Sequence, residues 1–184
     1  MDVTREKEII IGKVESCVGK GEIQAFSDKH NAYSGGIVSV NEESSAVTLC
    51  SAFAEVKAEA PGIVYDFAGG VVGNNRGTVT KCLCLGTLAT HDEDSLNGAI
   101  CGATVLSGEP YFSGYWVSCA DNLSLQGELH AFGGLLVTYA DRLYSAAYLE
   151  KGSDARLLDL SLTIYETQQE AEAAFEELKK QEVA

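Results

Sequence analysis

Two stretches of this chain repeat one unusual order of residues. YDFAGGVVGN at 65 to 74 is echoed by HAFGGLLVTY at 130 to 139: in each, Phe precedes a Gly-Gly pair and branched aliphatics follow. Phe67 and Phe132 are 65 positions apart, and the same offset lays KCLCLG over SAAYLE. A phosphate-binding loop needs its glycines between a strand and a helix, so that free amides at the helix start can face the anion. Strand-like aliphatic residues follow here instead. The pattern therefore reads as architecture, with glycines at bulges or tight corners of two similar halves.

The rest of the chain is punctuated in the same way. Apolar or alternating runs such as GIVSV (36 to 40), AVTLCSAFAEV (46 to 56), GTVTKCLCLGTL (77 to 88) and LLDLSLTIY (157 to 165) are separated by Gly, Asn, Asp and Ser, the texture of many short strands. Alternation assigns Val47, Leu49, Ser51 and Phe53 to one face of their strand, and Val79, Lys81, Leu83 and Leu85 to one face of theirs. So many strands with so few helices predict an all-β domain over 31 to 166. That texture points to a barrel or a sandwich of antiparallel strands, and the 65-residue offset suits a barrel built from two four-stranded units.

The two ends read differently. Residues 4 to 20 carry Ile10, Val14, Cys17 and Val18 near one stripe, which marks 1 to 30 as an N-terminal extension with helical character, weakened by Gly12 and Gly19. At 167 to 184, Thr167 followed by Glu170 is the capping-box spacing, and Ala171, Ala174, Phe175 and Leu178 form an apolar stripe. This amphipathic C-terminal helix is expected to cover an open end of the barrel or cross an edge.

Charge excludes one class of partner. Thirteen Lys and Arg against 27 Asp and Glu leave a formal charge of -14, which repels phosphate backbones, so no nucleic acid is expected. The N-terminus returns to charge after three apolar residues and does not read as a signal peptide, and no run is long enough to span a bilayer as a helix. A soluble chain is expected, with the cytoplasm and secretion both open. The six cysteines are too sparse for a disulfide-stapled miniature fold, and Cys82 and Cys84, two apart in a strand, point the same way. They read as buried free thiols, with neither metal nor cofactor assigned.

Residues that could carry chemistry are few. His91 stands in THDEDS beside Asp92, Glu93 and Asp94, a cluster that reads first as a solvated turn and second as a weak cation or catalytic site. His30 and His130 have no partner at informative spacing. YFSGYW at 111 to 116 concentrates aromatic side chains: Phe112 and Trp116 share one face, Tyr111 and Tyr115 the other. Tyr111, Phe112, Tyr115, Trp116 and His130 are the candidate binding residues, around an internal pocket or on an exposed aromatic patch. No residue is assigned a catalytic role.

The order of these motifs resembles the virulence-associated protein family of Rhodococcus. GTLATHDEDSL at 86 to 96, Gly98, the aromatic pair ending in Trp116, Asp121 and Asn122, LQGEL at 125 to 129 and GGLLV at 133 to 137 carry the resemblance, which spans roughly 33 to 140. It implies a compact closed antiparallel barrel of about eight strands from two Greek-key halves, without a large internal cavity, without established enzymatic activity, secreted and tied in some members to endolysosomal membranes. The implied function is a non-enzymatic effector or interaction barrel whose partner is a protein or an acidified membrane surface, met in a pH-dependent way. A small-molecule-binding or enzymatic barrel with a pocket near Trp116 and Phe112, and a self-associating homo-oligomer, are the alternatives.

Overall fold

The computed structural model describes residues 12–42, 44–61, 66–89, 96–108, 117–125, 134–139, 142–145 and 158–183. Within them the chain winds rather than folds back. Strands β1 (Lys13–Glu15), β6 (Ala46–Thr48) and β11 (Thr78–Thr80) lie side by side, as do β2 (Val18–Gly19), β7 (Ser51–Ala52) and β12 (Leu83–Cys84). The long β16 (Val117–Leu125) joins both rows and pairs with β19 (Leu158–Tyr165), completing sheet A. Sheet B stacks β3 (Glu22–Phe26), β8 (Glu55–Glu59) and β13 (Thr87–Ala89). Sheet C stacks β4 (Ala32–Gly35), β9 (Asp66–Gly69) and β14 (Leu96–Gly98). Sheet D runs β5 (Val38–Asn41), β10 (Val72–Asn75), β15 (Cys101–Gly108), β17 (Gly134–Tyr139) and β18 (Arg142–Ser145).

Every pairing between these strands is parallel except that of β17 with β18. Three successive turns of the chain visit sheets A, B, C and D in that order, each one strand further on, and β16 opens a fourth row in sheet A. Equivalent residues are 33 apart at Cys17 and Cys50, 34 at Asn41 and Asn75, and 32 at Thr48 and Thr80. The described chain is thus a parallel β-solenoid, in which each coil buries its apolar edge only against the next. The closed antiparallel barrel expected from the strand texture, and the Greek-key halves that the resemblance implies, are corrected by these registers. Period-two alternation is the same in parallel and antiparallel strands, so the pattern finds strands without saying how they pair.

The N-terminal region is also corrected. Residues 13–26 are β1 to β3 of the first coil and not part of a helical extension, and the remainder of that reading, 4 to 11, lies outside the described residues. Val14 belongs to the same interior column as Val47, Val79 and Cys119.

The Gly-Gly pair is a corner. Gly35 pairs with Gly69 and Gly69 with Gly98, so Tyr33, Phe67 and Leu96 are one position in three successive coils. Between sheets C and D the neighbouring coils approach so closely that a Cβ on Gly36 would strike the Gly70 carbonyl oxygen, and one on Gly70 would strike that of Ala99. Only glycine leaves room for that approach. Tyr33 and Phe67 stack across it with ring centroids 4.9 Å apart.

A second repeated device sits in sheet A. Ser16, Leu49, Lys81 and Asp121 have φ of 56°, 52°, 54° and 55°, the left-handed region, at one equivalent position per coil. Each separates the two rows of sheet A and shifts the alternation by one residue. Val47 and Val79 therefore face the interior while Ser51 and Leu83 face outward, correcting the single faces expected for these segments. A left-handed residue other than glycine is unusual enough that propensity does not foretell it.

The interior is built from small side chains. One cluster holds Val47, Cys50, Ala52, Val71, Val72, Val79, Cys82, Cys84, Ile100, Cys101 and Cys119; another, between sheets B and C, is mostly alanine. Stacked coils leave a narrow cross-section, which Ala, Val and Cys fill without displacing the backbone. Buried asparagines close the turn after sheet D: Asn41 Nδ2 donates to Asn75 Oδ1 at 2.8 Å and to the Thr78 carbonyl at 3.2 Å, and the Gly77 amide donates to Asn75 Oδ1 at 3.1 Å.

Helix α1 (Gln168–Val183) forms where the capping box predicts it. The Glu170 amide donates to Thr167 Oγ1 and the Thr167 amide to Glu170 Oε2, each at 3.3 Å. Its apolar stripe, Ala171, Ala174, Phe175 and Leu178, lies on the outer face of sheet A against Leu83, Leu85, Leu123, Leu125 and Tyr165. Lys81 pairs with Glu182 near its C-terminus. Among the described residues no helix is long and apolar enough to cross a membrane.

Candidate functional site

The outer face of sheet A has room for more than α1 covers. Outward positions run in columns, Val18, Ser51, Leu83, Leu123 in one, with Phe53, Leu85, Leu125 and Tyr165 two residues further along their strands. Helix α1 sits on the later coils, touching β12, β16 and β19. Over the first two coils α1 leaves Val18 60% exposed and Phe53 half-buried, with the small Ser51 buried between them.

The result is a groove of about 470 Å³ with sheet A as its floor and α1 as its wall. Val18, Ser51, Phe53 and Leu83 form the floor, while Gln169, Glu172, Ala173, Phe175, Glu176 and Lys179 come from the helix. Lys20 Nζ lies 5.5 Å from the Phe53 ring centre, and Lys179 Nζ lies 5.0 Å from that of Phe175. Each lysine thus places its charge over an aromatic face at the rim. Lys179 also pairs with Glu176. The two lysines balance Glu172 and Glu176 in charge, so the groove is an apolar floor with a mixed-charge rim.

A second cluster lies inside the first coils. Cys17, Cys50 and Cys82 occupy the position immediately after the left-handed residue, one per coil, and Asn122 takes that position in the next. The Ser51 amide donates to the Cys17 carbonyl at 2.9 Å, the Cys17 amide contacts Cys50 Sγ at 3.4 Å, and the Cys82 amide donates to Asn122 Oδ1 at 2.9 Å. All six cysteines are free thiols, and Cys17 alone is exposed. The neighbouring Cys82 side chain lowers the Cys50 thiol to about 6 from the ordinary 9.0 against the opposing effect of burial, while Cys82 itself is pushed well up by Cys50 and by burial. Burial pushes Cys84 up to about 11. The shared inward face of Cys82 and Cys84 is as the strand spacing predicts.

The expected site residues Tyr111, Phe112, Tyr115, Trp116 and His130 lie outside the described residues, as does the acidic turn with His91. His30 is exposed in a turn, its amide donating to Ser27 Oγ at 2.9 Å. No three His, Cys, Asp or Glu among the described residues are grouped to hold a metal ion. Sequence reasoning missed Val18, Lys20 and Phe53 as a site. Phe53 was assigned to the face of Val47, and only the shift at Leu49 brings it outside.

No family model, curated protein or solved structure matches this chain.

Proposed function

We propose that this protein is a non-enzymatic interaction module that takes an amphipathic helix of a partner protein into the groove beside α1. The observation that carries this reading is the groove on the outer face of the first two coils, which among the described residues is floored by Val18 and Phe53 next to a helix already seated on the same sheet. Neighbouring strands lie about 4.8 Å apart, so two coils span about 10 Å, the width of one helix. A second helix packed beside α1 would meet Phe53 and Phe175 with its apolar stripe. The chain's net charge of -14 favours lysine or arginine on the polar side of that helix, facing away from the groove's own lysines.

The test is a backbone-amide NMR titration of the full chain with a synthetic amphipathic helix carrying a leucine stripe flanked by lysines. Shifts gathered at Val18, Lys20, Ser51, Phe53 and the first turns of α1, and lost in Phe53→Asp, would support the reading. Shifts elsewhere, or none at millimolar peptide, would overturn it.

A further inference from the structure

The interior thiols raise a separate question, because most of them have no route to solvent and one does. Cys101 and Cys119 approach to 3.4 Å between sulfurs, yet both are fully buried, so an oxidant from solvent cannot reach them while the coils are stacked. Cys84 is buried as well, against the Gly-Gly corner. The column of Cys17, Cys50 and Cys82 differs. It runs along the coils and opens at its first member, since Cys17 belongs to the first coil and its side chain is exposed.

The backbone brings Cys17 and Cys50 into disulfide reach. They sit one coil apart between two pairs of registered strands, Glu15 with Thr48 through β1 and β6 and Val18 with Ser51 through β2 and β7. The 2.9 Å bond from the Ser51 amide to the Cys17 carbonyl holds the two segments at strand spacing. That spacing, about 4.8 Å, falls inside the Cα separation that a disulfide spans, about 4.4–6.8 Å. The Cys17 amide already touches the Cys50 sulfur.

We propose that Cys17 and Cys50 are a peroxide-reactive thiol pair, with Cys17 the residue attacked by solvent oxidant and Cys50 the residue that closes the disulfide. In the first step the Cys17 thiolate attacks one oxygen of hydrogen peroxide, the O–O bond breaks, hydroxide leaves and Cys17 becomes a sulfenic acid. In the second the Cys50 thiolate attacks the Cys17 sulfur, the S–O bond breaks, and hydroxide leaves to take up a proton. The two sulfurs give up two electrons in all, and two thiols with one peroxide yield one disulfide and two waters. The neighbouring Cys82 side chain, which lowers the Cys50 thiol, favours the thiolate that the second step needs. The product ties the first coil to the second.

The experiment treats the full reduced chain with hydrogen peroxide and reads its intact mass and its tryptic map. Cleavage after Lys13 and Lys20 isolates Cys17, and cleavage after Lys29 and Lys57 isolates Cys50 from Cys82 and Cys84. The expected result is the loss of two hydrogens, a linked pair of peptides holding Cys17 and Cys50, and loss of Cys17 alkylation that a reductant restores. In Cys17→Ser the link is absent. In Cys50→Ser, or in Cys50→Ala should serine unsettle the interior, Cys17 gains oxygen instead of a link. A wild-type chain in which Cys17 accumulates oxygen unlinked, stays unreacted, or pairs with another cysteine overturns the proposal.

Discussion

Asn41 donates its side-chain amide to the side-chain oxygen of Asn75, one coil on, at 2.8 Å, with both residues buried. The contact couples two coils at a turn where backbone groups leave the sheet ladder. Asn75→Ala removes an acceptor shared by Asn41 and the Gly77 amide, leaving the buried Gly77 amide short of a partner and Asn41 with the Thr78 and Ser45 carbonyls. A loss of about 1–3 kcal/mol in unfolding free energy is expected from urea titration, and a neutral result would show that the ladder carries no net stability.

Gly70 lies where a side chain has no space, facing the Ala99 carbonyl and the Cys84 sulfur. Gly70→Val should therefore separate the second and third coils at this corner. The readout is cooperativity: the variant should lose a single sharp thermal transition while Ser39→Val, at an exposed position of β5, keeps it.

Ser16 is exposed and left-handed, the mildest setting in which to test the four-coil column of positive φ. Ser16→Val places a β-branched side chain in that conformation and should cost about 1–2 kcal/mol. Ser16→Gly relieves the strain and gives part of the gain back as unfolded-chain entropy, so a rise of about 0.5 kcal/mol is expected. Equal stabilities for the two variants would remove the case for a strained corner.

Cys50 should make stability depend on pH. A thiol lowered in the folded chain adds stability that is complete above its unfolded value of 9.0 and is lost as pH falls toward about 6. Cys82, pushed up, stays protonated through that window. The urea midpoint should rise between pH 6 and 9 in the native chain, and that component of the rise should vanish in Cys50→Ser; ultraviolet thiolate absorbance should show the same titration.

Phe175 anchors α1 to Leu83 and Leu123 on the outer face of sheet A. Phe175→Ala should cost about 3 kcal/mol, since it empties a packed site. Differential hydrogen exchange should place the loss in α1 and β12, leaving the amides of β3 and β8 protected; uniform loss would mean that the helix is integral to every coil.

What the sequence determined alone was local. Thr167 and Glu170 announced a helix start because a capping box needs only four neighbouring residues, and the inward pairing of Cys82 with Cys84 followed from strand periodicity. The Gly-Gly pair was legible as a corner for the same reason. The parallel winding was not. Alternation serves either strand direction, and the echo between Phe67 and Phe132 hid the shorter repeat in which Tyr33, Phe67 and Leu96 succeed one another coil by coil. The candidate groove was further from reach, because Phe53 faces outward only through the left-handed turn at Leu49, and because the helix that walls it is joined to that face by packing across more than a hundred residues of chain. Contacts at that distance in sequence are selected by which surfaces can bury one another, a choice made by the whole chain and written in no single segment.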